Sequence, residues 1–137
     1  SVRATWAVVP WMEEAGGGSI VHISSISGME AGSPPAYSAV KAALISHSKT
    51  LANQLAPSGI RINCVAPGSI EFPGGFWEQI KEHNPQYYES MLNSIPFGRM
   101  GTDTEVASAV VFIASPRASW VAGVNLPVDG VQHKGNL

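Results

Sequence analysis

Ser25, Tyr37 and Lys41 are the residues of this sequence whose types and spacing can do chemistry together. Tyr37 and Lys41 stand four apart in a stretch of helical periodicity, so both leave one helix face. Ser25 precedes Tyr37 by twelve residues, just past a short β-rich run, where open α/β sheets receive ligands. A free phenol titrates near about 10 and is a poor base at neutral pH. An ammonium about 4 Å away, at an effective dielectric of about 20, favours a phenolate by up to about 4 kcal/mol. A strand end beside a helix start can bring a serine and a tyrosine hydroxyl to one point. That arrangement suits proton transfer to or from a carbonyl or alcohol oxygen.

Other chemistries fit less well. Ser38 and Lys41 match the S-x-x-K spacing of Ser/Lys acyl hydrolases, but no S-D-N or K-T-G segment accompanies them. Ser25 is not on a nucleophile elbow, because Ile23 stands where that turn requires glycine. His22 reads as a hydrogen-bonded strand residue and Cys64 as inert core. His47, His83 and His133 lack metal-ligand spacing, so no metal site is expected.

Several elements must position the trio. Residues 2–15 read as a helix, with Trp6, Val9 and Met12 or Glu13 at helical spacing and Pro10 as a flaw. Gly16, Gly17 and Gly18 end it, and 19–23 read as a buried strand. A loop of small residues over 24–35 leads to a helix over 36–56, whose Tyr37, Lys41, Leu44, Ser48, Leu51 and Leu55 share a face. A second strand over 60–65 breaks at Ala66, Pro67 and Gly68. Residues 69–100 are irregular and aromatic, with room for two short helices. Thr102 and Glu105 form a capping-box pattern before an apolar run over 106–114. A third strand is expected over 121–128, then a loose polar tail from Gln132. Helix and strand alternate, which predicts parallel strands with helices on both faces: a partial doubly wound, Rossmann-like α/β sheet.

Composition narrows the function classes. The 137 residues make one domain and carry 8 Lys+Arg against 10 Asp+Glu, a formal net charge of −2. No basic surplus is available to neutralise a phosphate backbone, so nucleic acid is not an expected partner. No run of about 18 apolar residues predicts a membrane span. The single cysteine excludes an internal disulfide, and a reducing cytoplasm is the expected setting. Charged residues are only 13% of the chain, so its apolar exterior is expected either to pack against copies of itself or to belong to a larger domain.

The segments SIVHISSISG, YSAVK, RINCVAPGSI, IPFGRMGT and VAGVNLPVDG, in this order and spacing, resemble the short-chain dehydrogenase/reductase family over essentially the whole chain. The resemblance implies an NAD- or NADP-dependent oxidoreductase acting on a secondary alcohol/ketone pair. Ser25 then matches the serine that holds the substrate oxygen, and Tyr37 the acid/base. Lys41 matches the lysine that tunes the tyrosine and binds the nicotinamide ribose. Pro67 and Gly68 match the turn beside the nicotinamide, and Ile70 the position whose backbone meets the carboxamide. Phe72 stands where the family often carries a hydroxyl residue. Residues 72–97 correspond to the substrate lid, while Arg99 and Asp129 take structural roles near the lid and the last strand. Family members form dimers and tetramers through helices matching 2–15 and 36–56 and through the last strand.

The family's Gly-rich phosphate turn has no counterpart here, because Gly16, Gly17 and Gly18 precede a strand instead of following one. Residues 1–137 are therefore expected to be the C-terminal part of a single NAD(P)-binding domain. A second reading stays open, in which the chain is a non-catalytic remnant serving as an assembly or interaction module.

Overall fold

The computed structural model describes residues 1–136. Five α-helices, three 3-10 turns, a three-stranded sheet and a two-stranded sheet account for its regular structure. Helix α1 spans Val2–Glu14 and strand β1 spans Gly18–Ile23. Helix α2 spans Pro35–Leu55, with Pro35 in its first turn, where a missing N–H costs nothing. Strand β2 spans Ile60–Pro67 and β5 spans Asn125–Val128. Both pairings are parallel, in the order β1-β2-β5, as the alternating pattern predicts.

The pleat of β2 divides the core. Ile60 and Ile62 face α1 and α2, where they pack with Val9, Leu51, Ala52 and Leu55. Arg61 faces the other way, towards helix α5, Asp103–Ala114. Its guanidinium caps the carbonyls of Ile113, Ala114 and Ser115 at 2.9–3.2 Å, which satisfies the end of α5 and ties it to the sheet. The start of α5 is closed by the expected capping box between Thr102 and Glu105. Arg99 and the Thr102 N–H hold the Glu105 carboxyl well down, at about 2.

Four local expectations need correction. The third strand begins at Asn125, not at residue 121, because Asn63 intercepts the preceding backbone. Its amide donates to Val121 O at 2.9 Å and its carbonyl accepts from Val124 N at 3.1 Å. In α1 the buried residues are Thr5 and Val9, with Trp6 about half exposed. Strand β1 presents His22 at this contact, and a buried imidazole needs a polar partner. Strand β2 runs through Pro67, which pairs with Val128, and stops at Gly68. The tail is anchored, not loose. Gln132 bonds Ser69, His133 bonds Asp129, and the Lys134 N–H donates to Glu30. Leu137 lies outside the described residues.

The irregular segment contains the two short helices, α3 over Phe76–His83 and α4 over Pro85–Ser94. It also holds a small parallel pair that periodicity did not reveal, β3 (Ile70–Glu71) with β4 (Gly101–Thr102). Glu71 ties both helices to β3, accepting from the Tyr88 hydroxyl and from Lys81 Nζ at 3.0 Å. The Tyr88 hydroxyl, and then Lys81, hold the Glu71 carboxyl below its usual range.

Candidate active site

The chemistry-bearing trio gathers at the carboxyl end of β1. Ile23 is the last strand residue, and Ser25 caps a 3-10 turn over Ile26–Gly28. Ser25 is buried, and its Oγ accepts from the Ser27 N–H at 3.1 Å. A hydroxyl that accepts a hydrogen bond keeps its own O–H free to donate. Ser24 holds this strand end to the next strand, through its N–H and Oγ on Val65 O at 2.8 and 3.1 Å.

Helix α2 then brings Tyr37 and Lys41. The Lys41 Nζ donates to Ile23 O at 2.9 Å and lies 5.5 Å from the Tyr37 ring centroid. Tyr37 is 47% exposed. Gly28 sets the spacing between the serine turn and the helix. A Cβ there would lie 2.7 Å from the Lys41 carbonyl carbon and 2.8 Å from Ala42 N. The turn and the helix backbone therefore touch directly, with no room for a side chain between them.

The lower part of the α2 face does different work. Ser48, Leu51 and Leu55 are buried against the sheet, so one stripe runs from core to site. His22 lies beneath, bonded to Thr5 Oγ1 at 2.9 Å and Ser48 Oγ at 2.6 Å, in the structural role expected of it. Cys64 is buried in β2, and burial pushes its thiol up, which suits inert core. Among the described residues no cluster of His, Cys, Asp and Glu has metal-binding geometry, and no helix is long and apolar enough to cross a membrane.

Pro67, Gly68 and Ile70 meet at the end of the neighbouring strand β2. They line one cleft of about 400 Å³, opposite Phe72, Phe76 and Trp77. The aromatics of residues 72–97 thus divide between two tasks. Phe72 and Phe76 face this cleft, whereas Tyr88 packs with Ile95 and Met100 in a small core of its own. Trp77 serves both. Arg99 pairs with Glu105 at 2.6 Å. Burial pushes the Asp129 carboxyl up, but the His133 backbone and ring and the Val131 N–H outweigh it, leaving the group below its usual range.

Gln132 belongs to this region and nothing in its sequence context marks it. Its Oε1 accepts from Ser69 N at 2.8 Å and its Nε2 donates to Ser69 Oγ at 3.0 Å, across 63 residues of chain. Gly28 was part of a recognisable segment, but its contact with α2 is likewise a tertiary fact.

Comparison with known proteins decides what this arrangement belongs to. A family model described as enoyl-(acyl carrier protein) reductase matches residues 1–131. An isoepoxydon dehydrogenase of Penicillium expansum is 42% identical over 136 residues, covering 98% of this chain and 52% of its own length. A solved oxidoreductase of the short-chain dehydrogenase/reductase family from Burkholderia thailandensis superposes with a TM-score of 0.86 at 38% identity, over 95% of this chain and 50% of that one. The chain belongs to the short-chain dehydrogenase/reductase family. Another solved member of this family of oxidoreductases, the L-sorbose reductase of Gluconobacter frateurii complexed with NADPH and L-sorbose, is 33% identical with a TM-score of 0.85. It is covered over 54% of its length by 98% of this chain. The chain spans about half the length of the curated relatives it matches.

Proposed function

We propose that this chain carries the proton-transfer part of an NAD(P)-dependent oxidoreductase that interconverts a secondary alcohol and a ketone. The observation that carries the reading is the Lys41 ammonium, fixed at 2.9 Å on Ile23 O and 5.5 Å from the Tyr37 ring, beside buried Ser25. Ser25 donates its free O–H to the substrate oxygen. Tyr37 gives its proton to that oxygen in reduction and removes it in oxidation. Lys41 stabilises the phenolate that results. Residues 1–137 are read as the C-terminal part of one NAD(P)-binding domain, in a cytoplasmic homo-oligomer.

The residues present fit the nicotinamide and ribose end of such a cofactor. Lys41 spends one of its three N–H donors on Ile23 O, leaving two for ribose hydroxyls. The cleft beside Pro67, Gly68 and Ile70 is walled by Phe72, Phe76 and Trp77, surroundings suited to a flat ring. When bound, the cofactor supplies or accepts the hydride.

In the full-length protein, Tyr37→Phe is expected to lower kcat by about 10²–10⁴-fold, the usual share of general acid–base catalysis, while NADH or NADPH still binds. Steady-state turnover with calorimetry checks this. Unchanged kcat would remove the proton-transfer role, and absence of dinucleotide binding in the wild type would favour the non-catalytic module.

A further inference from the structure

The turn that follows β2 is held from the far end of the chain. The Gln132 carboxamide grips Ser69 at two points, accepting from its N–H at 2.8 Å and donating to its Oγ at 3.0 Å. Its Nε2 also lies 3.1 Å from Met91 Sδ, on lid helix α4. Ser69 is 7% exposed, so these partners replace water at a buried backbone donor. Two neighbouring features make the reach possible. A Cβ on Gly68 would lie 2.7 Å from both Gln132 Oε1 and Asp129 Cβ, so only glycine admits the tail this closely. Gly130 and Val131 both adopt left-handed backbone, at φ 60° and 64°, the latter a strained conformation for a β-branched residue. Asp129 holds that turn, accepting from Val131 N and His133 N at 3.0 Å each.

We propose that Gln132 is a positioning residue for the cofactor, holding the segment from Gly68 to Ile70 in the shape that receives the nicotinamide end and coupling it to lid helix α4. The inference rests on the oxidoreductase reading above. Strain at Val131 is tolerated where the surrounding structure over-determines the backbone, and what it delivers here is the aim of the next side chain. Ser69 sits between the cleft residues Gly68 and Ile70, so a shift of its peptide moves both.

The test uses the full-length protein with NADH and NADPH as probes. Gln132→Met keeps the length of the side chain and removes both bonds to Ser69. The expected result is a roughly tenfold rise in Kd by calorimetry for whichever dinucleotide the wild type binds. The change in NADH fluorescence on binding, which reports the nicotinamide surroundings, is expected to shrink. The unfolding midpoint without cofactor is expected to fall by a few degrees, because the buried Ser69 N–H loses its partner, with the variant still folded at the assay temperature. A Kd within twofold of wild type, with the same fluorescence change, overturns the proposal. Should Gln132→Met fail to fold, Ser69→Ala removes one of the two bonds; a Kd raised several-fold supports the role and an unchanged Kd overturns it. A wild type that binds neither dinucleotide overturns the oxidoreductase reading and this role with it, whereas binding that the variants leave within twofold of wild type overturns this role alone.

Discussion

His22 shows how much a single buried side chain constrains its surroundings. Ser48 Oγ donates to Leu44 O at 2.7 Å, so it can only accept from the His22 Nδ1–H at 2.6 Å. The other ring nitrogen lies 2.9 Å from Thr5 Oγ1, which also reaches Ser1 O at 3.1 Å. Burial, and then His47, lower the ring's proton affinity below the ordinary value of 6.5. The unfolded chain therefore binds this proton more readily than the folded one. The stabilisation is fully present above about pH 6.5 and is lost as pH falls through the lower folded value. The thermal midpoint is expected to hold steady above neutrality and to decline as pH drops from 6.5 towards 5. In His22→Gln the decline over that interval should be shallower. An equally steep decline in the variant would show that other groups carry the dependence.

At the scale of elements, α2 is the piece on which the candidate site depends. Its lower turns are buried by Ser48, Leu51, Ala52 and Leu55, and its upper turn presents Tyr37 and Lys41. Burying three such apolar side chains contributes several kcal/mol, each worth about 1.5–3 for the larger ones, so the helix does not drift on the sheet. The serine turn is indexed to it by contact at Gly28, whose missing Cβ leaves the turn resting on the Lys41–Ala42 backbone. Gly28→Ala has no soft neighbour to push aside, because the two nearest atoms it meets are main chain and the next is Lys41 Cβ. We expect it to destabilise the fold by about 1–3 kcal/mol, as overpacking does, and to lower kcat by more than tenfold by moving Ser25 off Tyr37. Thermal unfolding and turnover measured together check this; wild-type turnover would mean that the turn and the helix are not rigidly coupled.

The whole molecule presents a large apolar exterior. Trp120 is 99% exposed, Trp11 71% and Val40 67%, spread over the loop before β5 and over helices α1 and α2. β1 and β5 are edge strands, each with one row of backbone groups not paired in the sheet. Few charges offset this, at 13% of residues. The 137-residue chain by itself is expected to self-associate, with sedimentation at rising concentration showing dimers or larger species. Replacing Trp11 and Val40 with Glu and Lys should shift that equilibrium towards monomer. A clean monomer at high concentration would count against it.

Local signals were enough for much of this. The short β-rich runs of β1 and β2, the four-residue step from Tyr37 to Lys41, and the Thr102–Glu105 capping box all act over a few residues, so they can be read directly from the chain. The family resemblance lay in the same short segments. What they could not convey is which distant group meets which. Asn63 shortens the third strand by capturing Val121 and Val124, Thr5 displaces Trp6 inward because His22 waits there, and Gln132 closes on a turn 63 residues away. Each outcome turns on a buried polar group that must find a partner once water is removed. Burial exists only in the assembled molecule, so the tertiary structure alone decided them.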